Sequence, residues 1–338
     1  MSSEHFVVIG NGPAGNQAAR TLKEQAPEAR VTVISRNPGS SYKPHLLPRL
    51  LARKIEEKEL YACSLDSYQE RGIKLRCGQE VTRVNPYQCE ILLDHREIIP
   101  FTGLIIAVGG VPHIPAPLYG FKDCMLTLKT LEDAMLWSNA LTHAKSVLII
   151  GGDLTSLAVT RSLLQMGKRV FFLLNEDALW PLRFNDGLAT ALSERLAEKG
   201  VEMINNRDIQ GMTRLSDGTF RVQMEDLEIR TDLIGAFFGL VPEVRFLVGS
   251  GLIIDRGILV DDILNTGFEG IYATGDCAQI YYPEIRDYWV SIGYDNALTL
   301  GKIAAHNLLG CRIRAPISVE SIYDIGGINV NTSWWLEF

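Results

Sequence analysis

Phe6-Val-Val-Ile-Gly10-Asn-Gly12-Pro-Ala-Gly15 reads as a strand, a tight turn and the start of a helix. Gly10 permits the turn, Gly12 lets the backbone approach a phosphate with no Cβ in the way, and Gly15 allows the helix to pack on its strand. Pro13 and Ala14 open the helix, whose N-terminus then faces an anion. The pattern continues through Ala18, Ala19 and Leu22, so the turn sits between a real strand and a real helix. It implies a dinucleotide pyrophosphate site.

Working outward, Val31–Ile34, Leu104–Val108, Val147–Ile150, Val170–Leu174 and Gly270–Ala273 are further apolar strand candidates, separated by helical periodicity or by glycine and proline turns. This is an α/β pattern. The unit of strand, glycine turn, helix and strand occurs at 6–34 and again at 147–174, a diverged internal repeat. Ala107-Val-Gly-Gly-Val-Pro-His-Ile-Pro-Ala-Pro117 reads as a crossover between two nucleotide-binding domains, with a boundary near 112. A second break at Phe238-Gly-Leu-Val-Pro242 marks the return to the first.

The 338 residues suffice for two or three domains, and 46% hydrophobic with 22% charged is ordinary globular composition. A net charge of −7 argues against nonspecific nucleic-acid binding. No apolar run approaches the ~20 residues needed to span a bilayer, and no leader precedes the first strand, so a cytoplasmic protein is expected. The six cysteines, Cys63, Cys77, Cys89, Cys124, Cys277 and Cys311, form no C-x-x-C pair and no zinc-like spacing. They imply no metal site and no redox dithiol; free, mostly buried thiols are expected.

Four segments in this order, the opening glycine motif, Leu104-Ile-Ile-Ala-Val-Gly-Gly-Val-Pro112, Gly239–Pro242 and Tyr272-Ala-Thr-Gly-Asp276, resemble the FAD-dependent pyridine nucleotide-disulfide oxidoreductases. The likeness is to the branch of rubredoxin, ferredoxin and nitrite reductase flavoproteins, and it covers residues 6 to about 310. It implies two Rossmann-like domains of the glutathione-reductase type: an FAD domain at 1–112 and 244–312, an NAD(P)-binding-like domain at 113–243, and a short C-terminal interface segment at 313–338. It places FAD on Gly10, Gly12, Pro13, Ala14 and Gly15, on Ala107, Val108 and Gly109, and on Gly275 and Asp276, whose carboxylate meets the ribityl or pyrophosphate end. The Val81 backbone would reach adenine. Trp289, Asn296, Gly301, Ala305 and Asn307 would belong to the helix beneath the flavin.

The chain departs from the family pattern where an acid usually accepts from the ribose hydroxyls; Ser35, Arg36 and Asn37 stand there. Ser35 or Asn37 can bond a hydroxyl, and Arg36 can lie over adenine or meet phosphate. The catalytic cysteines are replaced by Ser40-Ser-Tyr-Lys-Pro-His-Leu46, which excludes thiol chemistry there. Tyr42-Lys43-Pro44 with Leu46 instead looks like the Tyr-Arg-Pro-x-Leu of rubredoxin and ferredoxin reductase relatives. Lys43 is the candidate for tuning the reduced flavin.

At the second glycine turn, Gly151-Gly152-Asp153-Leu154-Thr155-Ser156, with Gly239, would take NAD(P)H. Asp153 replaces the second glycine and Ser156 the third. A carboxylate about 4 Å from each pyrophosphate charge at an effective dielectric near 20 costs roughly 4 kcal/mol, less with screening or displacement. Leu174 and Asn175 replace the usual ribose acid, with Glu176 and Asp177 just beyond. A glutamate–lysine pair found near flavin N5 in relatives is replaced by Ala158 and Pro48. Nicotinamide binding is therefore expected to be reduced or absent, against normal binding as the alternative.

Lys43, His45, Arg49, Arg53 and Lys54 suggest a basic stripe at helical spacing, where a small acidic iron-sulfur or rubredoxin-type protein would dock; a solvated face is the plainer explanation. The segment after Gly310 suggests a hairpin around Gly326-Gly327 and an aromatic end at Trp334-Trp335, packed on the flavin domain, a twin subunit or a heteromeric partner. The leading reading is a flavoprotein oxidoreductase passing electrons between a nicotinamide or protein donor and a small iron-centre protein. The alternative is a non-catalytic FAD-binding subunit of a larger redox complex.

Overall fold

The computed structural model describes residues 4–174, 186–284, 286–316, 322–325 and 328–331. A five-stranded parallel sheet runs in the order Ile271–Ala273, Gly103–Ile106, His5–Ile9, Arg30–Ser35, Ile73–Cys77. A four-stranded parallel sheet runs Leu233–Phe237, Ser146–Gly151, Arg169–Leu174, Glu202–Asn205. Val7, Val8, Val31, Val33, Leu104 and Ile105 in the first, and Val147, Leu148, Ile149, Val170 and Phe172 in the second, are fully buried. Strands covered on both faces need such unbroken apolar runs, which is why all six candidate strands are found.

The internal repeat extends further than the sequence suggested. In each copy the strand–turn–helix–strand unit is followed by a third parallel strand, a three-stranded antiparallel meander and a fourth strand beside the first. The meanders are Val81–Asn85, Glu90–Leu93, Glu97–Pro100 and Ile209–Arg214, Phe220–Met224, Glu228–Thr231. The two glycine–proline breaks pair with each other: Gly110–Pro112 lies antiparallel to Leu240–Pro242, and a Cβ on Gly110 would come within 2.8 Å of the Val241 carbonyl oxygen.

Three local expectations are corrected. Trp289 is not helical: it ends the strand Asp287–Trp289, which pairs with Ala278–Tyr282, and the helix starts only at Tyr294. The basic residues do not share one helix, because a proline-led turn at Pro44–Leu46 precedes a helix that ends at Leu51. Arg53 follows it with a positive φ of 54°. Nor are the thiols mostly buried: all six are free, but only Cys277 is buried, while Cys89 and Cys311 are exposed. Downstream, Ile322–Ile325 does pair antiparallel with Ile328–Asn331, and the Trp334-Trp335 end lies outside the described residues. No helix among the described residues is long and apolar enough to cross a membrane.

Candidate functional site

Both glycine turns open into one cavity of about 1140 Å³. That exceeds the roughly 300–1,000 Å³ of an ordinary small-molecule pocket and gives room for extended ligands. Gly10, Gly12, Pro13, Ala14, Ser35, Arg36, Lys43, Pro44, Val81, Ala107, Val108, Gly109, Gly275 and Asp276 all line it, as do Asp153, Leu154, Thr155 and Gly239. Gly15, Gly151 and Gly152 do not line it.

At the first turn each glycine answers a different demand. Gly10 has φ +105°, and a Cβ there would strike the carbonyl of Ala107; one on Gly15 would strike the carbonyl of Gly10. Gly12 has an ordinary φ of −70° and caps the helix Pro13–Gln25 without any side-chain hydrogen bond. A Cβ on Gly12 would meet no protein atom within 4 Å, so the protein itself does not require glycine here. The space it leaves open belongs to the cavity, at a helix N-terminus, where backbone N–H groups lack partners within the helix.

The turn is braced from below. The Tyr68 hydroxyl donates to Asn11 Oδ1 at 2.8 Å and accepts from Asn16 Nδ2 at 2.6 Å. All three residues are buried. Opposite, Thr274 is fully buried and its Oγ1 has no hydrogen-bond partner among the described residues, although it lines the cavity. An orphaned buried hydroxyl beside Gly275 and Asp276 fits a bound polar group. Together with the open cradle at Gly12, it makes these residues suited to FAD.

Lys129 is a cavity residue that sequence reasoning missed. Its Nζ lies 3.7 Å from Asp276 Oδ2. Its backbone is fixed by the capping box of the helix Leu131–Leu141: Asp133 Oδ2 accepts from the N–H groups of Lys129 and Thr130, both at 2.8 Å, and the Asp133 N–H donates to Thr130 Oγ1 at 3.0 Å. The Thr130-x-x-Asp133 spacing was the available signal, but nothing local shows that this cap faces Asp276.

Arg36 sits on the rim in a two-pronged pair with Glu243, at 2.7 and 2.6 Å, with Glu80 3.9 Å away. The Glu243 carboxylate holds the guanidinium pKa above its ordinary value. Ser35 Oγ donates to the Asn37 carbonyl at 3.1 Å. Lys43 is half-buried, with its N–H donating to the Leu60 carbonyl at 2.9 Å. Next to it the His45 ring lies 4.4 Å from the Tyr294 ring. Partial burial pushes the imidazole pKa down, helped by Lys43 and Arg49 and opposed by Asp295. No cysteine lines the cavity among the described residues.

The second turn repeats the first with two changes. Gly151 has φ +108°, and a Cβ there would strike the carbonyl of Phe237, as Gly10 meets that of Ala107. Asp153 therefore stands where Gly12 stands, and it caps the helix Leu154–Gln165. Its carboxylate does not project freely. Oδ1 accepts from the Ser156 N–H at 2.8 Å and Oδ2 from the Gly239 N–H at 3.1 Å. Burial pushes its pKa up, against the pull of the Ser156, Gly239 and Thr155 N–H groups. Ser156, in the place of Gly15, is fully buried and donates its hydroxyl to the Asp153 carbonyl at 2.5 Å. Ala158 and Pro48 both line the cavity, and the Ser162 hydroxyl donates to the Pro48 carbonyl at 2.7 Å. Leu174 is buried at its strand end; Asn175, Glu176 and Asp177 lie outside the described residues.

A family model described as Pyridine nucleotide-disulphide oxidoreductase matches residues 4–294. The chain belongs to this family. Among curated relatives, the assimilatory nitrate reductase electron transfer subunit of Bacillus subtilis (strain 168) is 27% identical over 291 residues, covering 82% of this chain and 36% of its own length. The 3-phenylpropionate/cinnamic acid dioxygenase ferredoxin–NAD(+) reductase component of Photorhabdus laumondii is 26% identical over 332 residues, covering 98% of this chain and 84% of its own. This pyridine nucleotide-disulphide oxidoreductase chain thus spans about a third of the first relative and most of the second. In three dimensions it resembles putidaredoxin reductase in its covalent complex with putidaredoxin, with TM-score 0.86, 23% identity, and coverage of 97% of this chain and 81% of that one. That likeness is of fold.

Proposed function

We propose that the chain is an FAD-dependent oxidoreductase that passes electrons between a nicotinamide or protein donor and a small protein carrying an iron centre. The observation that carries this reading is the single cavity shared by the two dinucleotide turns, since electrons pass directly only if both ligands meet in one space. FAD would supply two-electron acceptance from a donor and one-electron release to an iron centre. Residues 1–112 and 244–312 form its domain, and 113–243 the domain of the second turn.

In this reading Gly12 and the first-turn N–H groups after it bind the diphosphate, while Tyr68 holds Asn11 and Asn16 so that those donors are already aimed. The Thr274 hydroxyl finds its partner on the ligand, and the Asp276–Lys129 pair orients ligand hydroxyls and charge. Lys43 sits where its ammonium can favour a reduced, anionic ring. The relatives named for ferredoxin reductase and electron-transfer roles support an iron-centre acceptor. Arg49, Arg53 and Lys54 are exposed and offer charge to an acidic one.

The test uses purified protein loaded with FAD, a chemical or nicotinamide reductant, and a ferredoxin or a rubredoxin with cytochrome c as final acceptor. Cytochrome reduction that depends on the iron protein supports the reading. Flavin that is reduced yet never passes electrons to either iron protein overturns it in favour of a non-catalytic FAD subunit.

A further inference from the structure

The two copies of the repeat cap their own helix ends in different ways. Gly12 and Asp153 are equivalent N-caps, fixed in register by Gly10 against Ala107 and Gly151 against Phe237. At Gly12 the cap carries no side chain, a Cβ there would meet no protein atom within 4 Å, and Gly12, Pro13 and Ala14 line the cavity. At Asp153 a carboxylate of the protein spans two backbone donors from different elements, the Ser156 N–H in the helix and the Gly239 N–H in the turn after Leu233–Phe237. Asp153, Leu154, Thr155 and Gly239 nonetheless line the same cavity, so the site is not closed by packing. It is an anion site whose anion is built in.

We propose that Asp153 is a specificity-determining residue that selects against dinucleotide diphosphates at the second turn, and this rests on the oxidoreductase reading above. A diphosphate entering there has to displace the carboxylate from both donors or lie beside it, and in either case like charges meet at a helix N-terminus that can neutralise about half a charge. The first turn carries no such residue. The asymmetry therefore favours FAD at the first turn and leaves the second with weak affinity for NADH or NADPH.

The probe is ADP-ribose, which carries the diphosphate without the redox ring, titrated calorimetrically into the FAD-loaded protein. Asp153→Gly recreates the Gly12 cap, and glycine is itself a well-tolerated N-cap residue, so the helix survives. The variant is expected to bind ADP-ribose at least tenfold more tightly than the wild type. Asp153→Asn keeps an acceptor for Ser156 and removes the charge, and should fall between them. Equal affinity in all three proteins, or micromolar binding by the wild type, overturns the proposal. FAD content measured on the same samples separates this failure from a failure of the flavoprotein reading, because a colourless protein speaks against the latter alone.

Discussion

Gly301 and Ala14 lie so close that a Cβ on Gly301 would collide with the Ala14 carbonyl. The contact joins the helix Tyr294–Leu308 to the helix Pro13–Gln25 at its N-terminal end. Gly301→Ala should push the helices apart, with an overpacking cost of about 1–3 kcal/mol. Because the displacement falls on the first turn of the binding helix, FAD affinity should drop along with the melting temperature. Thermal melts with and without added FAD check this; a variant that melts and binds like the wild type contradicts it.

Tyr68 serves the same turn by hydrogen bonding. Tyr68→Phe leaves Asn11 Oδ1 and Asn16 Nδ2 without their close partner in a buried setting, a loss of about 1–3 kcal/mol. The expected result is lower stability to urea and faster FAD release, with the spectrum of the bound flavin retained.

Cys277 is a packing residue despite its place beside Asp276. It is fully buried, and burial raises its pKa to about 11. In native protein a thiol reagent such as DTNB should therefore react with Cys89 and Cys311, which are exposed, and reach Cys277 only on unfolding. Cys277→Ser should retain FAD; loss of redox activity with FAD retained would assign the thiol a role in the chemistry.

Asp232 gives stability a pH signature. Burial raises its pKa, but hydrogen bonds from the Lys145 and Ser146 N–H groups and the Ser146 hydroxyl outweigh it and hold the carboxyl below its ordinary value. A folded pKa below the unfolded one means that the stabilisation is complete above about pH 4 and is lost as pH falls through the folded value. At pH 7 Asp232→Ala should cost about 1–3 kcal/mol, and the gap from wild type in urea unfolding should shrink towards pH 2. A gap independent of pH would show that the carboxylate charge contributes nothing.

The elements that build the two sheets were legible because buried parallel strands leave unbroken apolar runs such as Phe6–Ile9 and Val147–Ile150, and because Gly10 and Gly151 are demanded by neighbouring carbonyls. The meanders were missed because short strands such as Glu97–Pro100, whose residues except Ile99 are exposed, carry little periodicity. Trp289 was drawn into the wrong element since its aromatic character suits strand and helix alike. Within the site, residues contiguous with the glycine turns were readable. Lys129 beside Asp276 and Glu243 beside Arg36 were not, because sequence separations of about 150 and about 200 residues leave no local trace of a contact. Asp153 shows the boundary well: its position and charge could be read, but not that its two oxygens would be spent on Ser156 and Gly239.

The most direct test of the account is a titration of the purified, FAD-stripped protein with FAD, followed by absorbance and by binding stoichiometry after gel filtration. The expected result is a flavin spectrum perturbed on binding, one FAD retained per chain, and loss of that retention in Gly12→Leu, whose side chain would fill the open cradle. A folded wild-type protein that stays colourless in excess FAD, or a Gly12→Leu variant that holds FAD as tightly as the wild type, would contradict it.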